Sequence, residues 1–217
     1  MNKSVYSLVL TDDVVDEIDR VAYEMNTSRS NMINQILAEY VSYVTPEKRM
    51  REIFDRVEHM LLGGNAFQPL LQPSDSMFSM RSTLSYKYNP TVRYSVELYQ
   101  TAQPYFGELR VSVRSQNSTF VLTMLQFFKL WTKIEQSYLG HTECLLEDGR
   151  YVRKLRLNTD EQKQADNQNI GEAIAAYIDT FDRALKLYFL NLTTPAYAVT
   201  GVEKLYAEYL HGGNMSL

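Results

Sequence analysis

The sequence predicts an α+β protein in which a short strand and two helices precede an antiparallel β-meander packed with long helices. Three observations lead there. Residues 4–41 pass from a two-residue to a three- and four-residue hydrophobic period and carry a polar break at Asn26-Thr27-Ser28. Three runs between residues 80 and 114 alternate apolar and polar side chains. The stretches 117–138, 170–189 and 199–210 return to helical spacing.

At the front, V-Y-S-L-V-L over Val5 to Leu10 puts Tyr6, Leu8 and Leu10 on one face and Val5, Ser7 and Val9 on the other. Thr11, Asp12 and Asp13 form a helix start, a hydroxyl N-cap followed by carboxylates that the positive end of the helix dipole favours. Val15, Ile18, Val21, Ala22 and Met25 then make an apolar stripe. Asn26 can take the left-handed conformation that ends a helix. Ser28 can cap the next helix, whose stripe is Met32, Ile33, Ile36, Leu37 and Tyr40. Thr45-Pro46-Glu47 restarts a helix, with Pro46 suited to its first turn. Met50, Ile53, Phe54, Val57, Met60 and Leu61 form its apolar face, and Gly63-Gly64 stops it. Residues 65–76, NAFQPLLQPSDS, read as a linker because of their two prolines and turn formers.

In the distal part, Met80, Ser82, Leu84, Tyr86 and Tyr88 alternate with Arg81, Thr83, Ser85 and Lys87. Val92, Tyr94, Val96 and Leu98 alternate with Arg93, Ser95 and Glu97; Leu109, Val111 and Val113 alternate with Glu108, Arg110, Ser112 and Arg114. Asn89-Pro90 and the segment around Gln103-Pro104 separate the runs, so they read as a meander with one wet and one buried face. The stretch 117–138 is too apolar for a single narrow stripe and is expected to lie buried on the sheet. Asp148-Gly149, between CLLE and RYVRKLRL, signals a tight hairpin. After a polar stretch at 158–168, apolar residues from Ile170 to Phe189 trace a long helix, and 199–210 a last short one.

Composition bounds the function. The 217 residues are 45% hydrophobic and 22% charged, with 9 Gly and 6 Pro, as in an ordinary soluble protein. No apolar run reaches the ~20 residues of a membrane span, and no signal-peptide pattern opens the chain, so a cytoplasmic location is expected. Cys144 is the sole cysteine, which excludes an internal disulfide framework. Net charge is −4. Residues 1–45 hold three basic and seven acidic residues, leaving 19 of each sign in the remainder, so a nucleic-acid contact at the front has to be local and geometric.

Order, length and spacing over residues 3–44 resemble the ribbon-helix-helix superfamily, the group of the Arc, MetJ and CopG repressors. The likeness lies in the lone strand, the TDD helix start, the D-x-x-A-x-x-x-N-x-S-R-S spacing and the second helix ending at Ala38-Glu39-Tyr40. It implies that two chains pair their strands into an antiparallel ribbon that enters the DNA major groove, with four helices forming the dimer core. Residue by residue, it implies that Tyr6, Leu8 and Leu10 face the helices, and that Lys3, Val5, Ser7 and Val9 face the groove. Ser28, Arg29 and Ser30 would hold a phosphate at the start of the second helix. The outward set departs from the family, where hydrogen-bonding side chains are usual: Val5 and Val9 can touch a thymine methyl but neither donate nor accept.

The resulting expectation is a ribbon-helix-helix DNA-binding and dimerisation module over 1–45, a connecting helix over 46–65 and an α+β effector or oligomerisation domain over 66–217. The corresponding function is a homodimeric or higher even-numbered transcriptional regulator, a repressor, on double-stranded DNA, with room for a small-molecule effector. The alternative is a module used mainly for dimerisation in an antitoxin-like or plasmid-maintenance interaction factor. His141-Thr-Glu-Cys144 is one weak ligand-like pair without a second, so neither metal nor cofactor is expected. No glycine-rich phosphate loop, G-x-S-x-G elbow or Ser/His/Asp arrangement appears, and no carboxylate pair sits among apolar residues, so no enzyme is expected. The 16 tyrosines suit core and subunit interface, or a ligand pocket between the meander and the 117–138 helix. Arg81, Lys87, Arg93, Arg110 and Arg114 fall on the wet strand face, as a solvated surface or a contact for DNA or an acidic ligand.

Overall fold

The computed structural model describes residues 5–71, 74–100, 104–140, 142–147, 149–157, 166–212 and 217. It divides into two compact units, Met1–Arg49 and Met50–Leu217. Lys3, Gln103, His141, Asp148 and most of the polar stretch after Leu157 lie outside the described residues.

The first unit is helical. Residues 5–10 carry no regular secondary structure, which corrects the expectation of a strand there. The reason is that a strand needs the N–H and C=O groups of a neighbour, and a single chain supplies none at this place. Helix α1 spans Asp12–Glu24 and α2 spans Arg29–Tyr40. Asn26 does end α1 in the left-handed region, at φ +50°. There Thr27 N–H donates to Ala22 O at 2.8 Å and Asn26 N–H to Tyr23 O at 3.1 Å, the paired bonds of a Schellman turn. The same closure ends α2: Ser42 has φ +55°, and Tyr43 N–H reaches Ala38 O at 2.7 Å.

Helix α3, Pro46–Leu62, starts on a Thr45 cap whose Oγ1 accepts from Lys48 N–H at 3.2 Å. From Met50 onward it belongs to the second unit, where Met50, Ile53, Phe54, Val57 and Leu61 enter the core.

The second unit is α+β, built on a six-stranded sheet that is antiparallel throughout. Its strands are β1 Phe67–Pro69, β2 Met77–Thr83, β3 Thr91–Leu98, β4 Gly107–Val113, β5 Cys144–Glu147 and β6 Arg150–Leu155, in the order β1-β2-β3-β4-β6-β5. The expected linker therefore contains an edge strand, and Pro69 is tolerated there because an edge needs no further donor. β2 stops at Thr83, earlier than the alternation suggests, because Tyr88 and Asn89 turn the chain with φ of +65° and +44°. Gly149 at φ +75° serves the β5–β6 hairpin.

One sheet face is apolar: Phe78, Met80, Val92, Tyr94, Val96, Leu109, Val111 and Tyr151 are all at most 4% exposed. Helices α4, Ser118–Leu139, α5, Asn167–Leu190, and α6, Pro195–His211, complete this core. α6 begins four residues earlier than expected, with Pro195 in its first turn. Phe181 of α5 lies at the centre, its ring 5.0–6.4 Å from those of Tyr94, Phe127, Phe128, Trp131, Tyr151 and Tyr177. At Gly171, α5 approaches α3 so closely that an added Cβ would stand 2.8 Å from Ile53 O. Among the described residues no helix is long and apolar enough to cross a membrane.

Candidate nucleic-acid interface

Six of the seven residues expected to touch DNA lie in two places. Val5 and Val9 are fully exposed, at 99% and 101%, and Ser7 is exposed between them. The intervening Tyr6, Leu8 and Leu10 are also exposed, at 83%, 60% and 39%, so the single chain does not seat them against its helices. Ser28, Arg29 and Ser30 do sit together at the start of α2, while Lys3 is outside the described residues.

That helix start is well formed. Ser28 Oγ accepts from Asn31 N–H at 3.3 Å, and Asn31 Nδ2 donates to Thr27 Oγ1 at 2.8 Å. The Arg29 guanidinium is already engaged: its Nε donates to Asp19 Oδ1 at 2.6 Å, and Nη2 meets Asp19 Oδ2. The hydrogen bond holds the Asp19 carboxyl below its usual value and raises the Arg29 guanidinium. A phosphate arriving here has to draw Arg29 away from Asp19.

The helices around this site leave much apolar surface uncovered. In α1 only Ala22 is buried, and in α2 only Met32 and Ala38. Val14, Met25, Ile36 and Leu37 are 46–52% exposed, and Tyr23 and Tyr40 are 88% exposed. Of the 23 exposed large apolar side chains among the described residues, 14 lie before residue 50, although that part is under a quarter of the chain. That is more exposed apolar surface than scattered single side chains account for.

In the second unit the structure reveals a buried polar cluster that sequence reasoning missed. Glu135 of α4 and Arg153 of β6 are 0% and 2% exposed, with Nε 2.9 Å from Oε1. Tyr151 OH donates to Glu135 Oε2 at 2.6 Å, Tyr177 OH to Oε1 at 2.9 Å, and Trp131 Nε1 to Tyr177 OH at 2.8 Å. The Arg153 guanidinium lies 4.7 Å over the Tyr177 ring, and its Nη2 donates to the main-chain oxygen of Leu217. Burial opposes the charge on Arg153, but Glu135 together with Tyr177, Tyr151 and Cys144 outweighs it and raises the guanidinium. Burial and then the Glu135 charge push both tyrosine hydroxyls and the Cys144 thiol up. The only signal in the sequence was a glutamate inside the apolar run KLWTKIEQSY. The cluster ties α4, α5 and β6 together inside the core, in the space where a ligand pocket was the alternative reading of the tyrosines. Phe127, Phe128, Trp131, Tyr151 and Phe181, all 0% exposed, fill that space.

An open surface cleft of about 570 Å³ lies instead between α3 and the start of α5, lined by Glu52, Asp55, Arg56, His59 and Asp166–Gln168. Its one arginine pairs with Glu172, and Asn167 Nδ2 donates to Glu52 Oε2 at 2.6 Å. Among the described residues no group of three His, Cys, Asp or Glu side chains could hold a metal ion.

The outward sheet face is wet, but unevenly. Arg110 pairs with Glu97 at 2.8 Å and with Glu108, and Lys154 pairs with Glu108. Beneath these long side chains Ser79, Ser95 and Glu108 are 0%, 9% and 4% exposed. No family model, curated protein or solved structure matches the chain.

Proposed function

We propose that the chain is a homodimeric, duplex-DNA-binding transcriptional regulator, a repressor whose first unit dimerises and contacts DNA. The single observation that carries this reading is the uncovered apolar surface before residue 50. A second copy supplies what one copy lacks. It offers a strand partner for residues 5–10 and an apolar face for Ile36, Leu37 and Tyr40. It also explains why a stretch with two helices closed at their C-termini buries so few of its side chains. Antiparallel pairing of two copies of residues 5–10 makes a ribbon with Val5, Ser7 and Val9 on one face, and a two-stranded ribbon fits the major groove. The N–H groups of Arg29 and Ser30 then take a phosphate at each α2 start, positioning the ribbon without reading sequence. The second unit supplies effector binding or further assembly.

The test joins assembly to binding. Sedimentation should give a dimer for the native chain and a monomer for Leu37→Glu, and the monomer should bind duplex DNA far more weakly. Selection of duplexes from a random pool should enrich a two-fold symmetric, thymine-containing site. A native chain that stays monomeric at micromolar concentration sinks the proposal.

A second reading has its own observation. Val5 and Val9 offer no hydrogen bond to a base, and Asp19 holds Arg29, so the module can serve dimerisation alone in a protein-interaction factor. A dimer that recovers a protein partner but binds no duplex at low salt favours it.

A further inference from the structure

The strand register assembles something that no single run of sequence contains. Outward positions pair in the order Gln68–Arg81–Arg93–Ser112–Arg150, one straight row across β1, β2, β3, β4 and β6. Arg81, Arg93 and Arg150 are exposed. Arg81 and Arg93 stand directly opposite each other, an arrangement of like charges that destabilises a sheet. Their hydrogen bonds go to neutral groups: Arg81 Nε to Gln68 Oε1 at 3.0 Å, and Arg93 Nη2 to Ser79 Oγ at 3.4 Å. None of the three arginines is in an ion pair among the described residues, although Glu147 is opposite Arg150 in register at the end of the row. Elsewhere on the same face the cations are neutralised, Arg110 by Glu97 and Glu108, and Lys154 by Glu108. Positive charge is thus gathered at one end, with Arg114, Thr91 and Thr83 beside it in exposed positions.

We infer that this arginine row, Arg81–Arg93–Arg150 with the Ser112 hydroxyl between, is a second contact for the phosphate backbone of duplex DNA. The choice of duplex DNA as the polyanion rests on the function proposed above. With strands about 4.8 Å apart the row spans about 14 Å, the axial length of about four base pairs. The outward positions of the six strands hold no aromatic side chain, and Tyr99, just past β3, is engaged by Glu108 and Lys154 at the opposite end, so the row itself has no platform for unstacked bases and does not suit single strands. It suits charge-to-charge contact that is blind to sequence. The like-charge pair Arg81–Arg93 costs stability in the free protein and is relieved when a phosphate lies between them.

The experiment titrates the full chain with duplexes over a range of salt, beside three variants. Arg81→Thr/Arg93→Thr/Arg150→Thr removes the row with β-compatible residues. Arg81→Lys/Arg93→Lys/Arg150→Lys keeps its charge. Lys129→Ala/Arg183→Ala/Lys204→Ala removes the same charge from α4, α5 and α6. The slope of log K against log salt should be shallower by about 2 to 3 in the Thr variant and unchanged in the other two. Equivalently, between about 50 and 200 mM salt the native chain should lose on the order of 40-fold more affinity than the Thr variant. A Thr variant with the native slope overturns the row, and so does an Ala variant that flattens equally. Competition by polyglutamate as strong as by duplex reassigns the face to an acidic protein. A chain that binds all duplexes alike, with the slope lost in the Thr variant, leaves the row standing and removes base reading at the front end. A sequence-selective chain with its slope intact in the Thr variant does the opposite, and no duplex binding at all overturns both.

Discussion

Arg29 reaches back from the first turn of α2 to Asp19 of α1, with its Nε donating at 2.6 Å. The pair is exposed, so it adds little to stability. Its importance is competitive, because the same guanidinium is the cation nearest the proposed phosphate site at the α2 start. Asp19→Asn should free it. Duplex affinity should rise for every sequence, and the salt slope should steepen by up to about 0.9 per module, measured by anisotropy titration. Unchanged affinity would mean that Arg29 does not reach a phosphate.

The buried pair Glu135–Arg153 predicts non-additive stabilities. Arg153→Met leaves Glu135 buried beside two tyrosine hydroxyls without its cation, and should cost about 3–5 kcal/mol in denaturant unfolding. Glu135→Leu should cost a similar amount by stranding Arg153. The double variant should be markedly more stable than the sum of the two losses. Simple additivity would argue against direct coupling.

Phe181 touches six other aromatic rings and is 0% exposed. Phe181→Ala removes the packing shared by α4, α5 and the sheet, and should destabilise by about 3–5 kcal/mol. Phe181→Leu keeps most of the volume and should cost much less. Equal losses would mean that the site collapses around the smaller side chain.

Glu108, Lys154 and Tyr99 couple stability to pH at both ends of the scale. Burial opposes the Glu108 charge, but hydrogen bonds from Lys154 and Tyr99 and the nearby Arg110 outweigh it and hold the carboxyl below its usual 4.5. This contribution is present above pH 4.5 and is lost as pH falls through the lower folded value. Hydrogen bonding to Glu108 holds Lys154 above its usual 10.5, so that contribution is present below pH 10.5 and is lost as pH rises through the folded value. Glu108→Gln should flatten the acid limb of Tm against pH. An acid limb unchanged by the substitution would place the titrating group elsewhere.

Cys144 should be a slow thiol. Burial and the Glu135 charge raise its pKa, and its Sγ lies 3.5 Å from Tyr151 OH. Alkylation of the native protein at mildly alkaline pH should be far slower than in denaturant. Equal rates would show that the β5 edge opens readily.

Much of the helical architecture was legible because its signals are local. Capping residues, a left-handed Asn26 and three- and four-residue spacing act within a turn or two, and the observed ends of α1 and α2 lie where they point, although Thr11 holds the N-cap position of α1 without a side-chain bond. Strand alternation was equally readable at Val92 to Leu98. The short edge strand Phe67–Pro69 was not, because three residues ending in a proline carry no period and owe their state to pairing with β2.

What the sequence determined by itself is therefore most of the helices and strands from α1 onward, the buried face of the meander and the apolar stripes of α1 and α2. Tertiary structure alone decided which distant residues meet. Glu135 and Arg153 stand 18 positions apart and become partners because β6 lies beneath α4. Arg150 joins Arg81 and Arg93 because the β5–β6 hairpin returns to pair with β4 rather than extending the meander at its other edge. The physical reason is that periodicity records which side of an element is apolar, while strand order and register depend on long-range pairing and packing that no local pattern encodes.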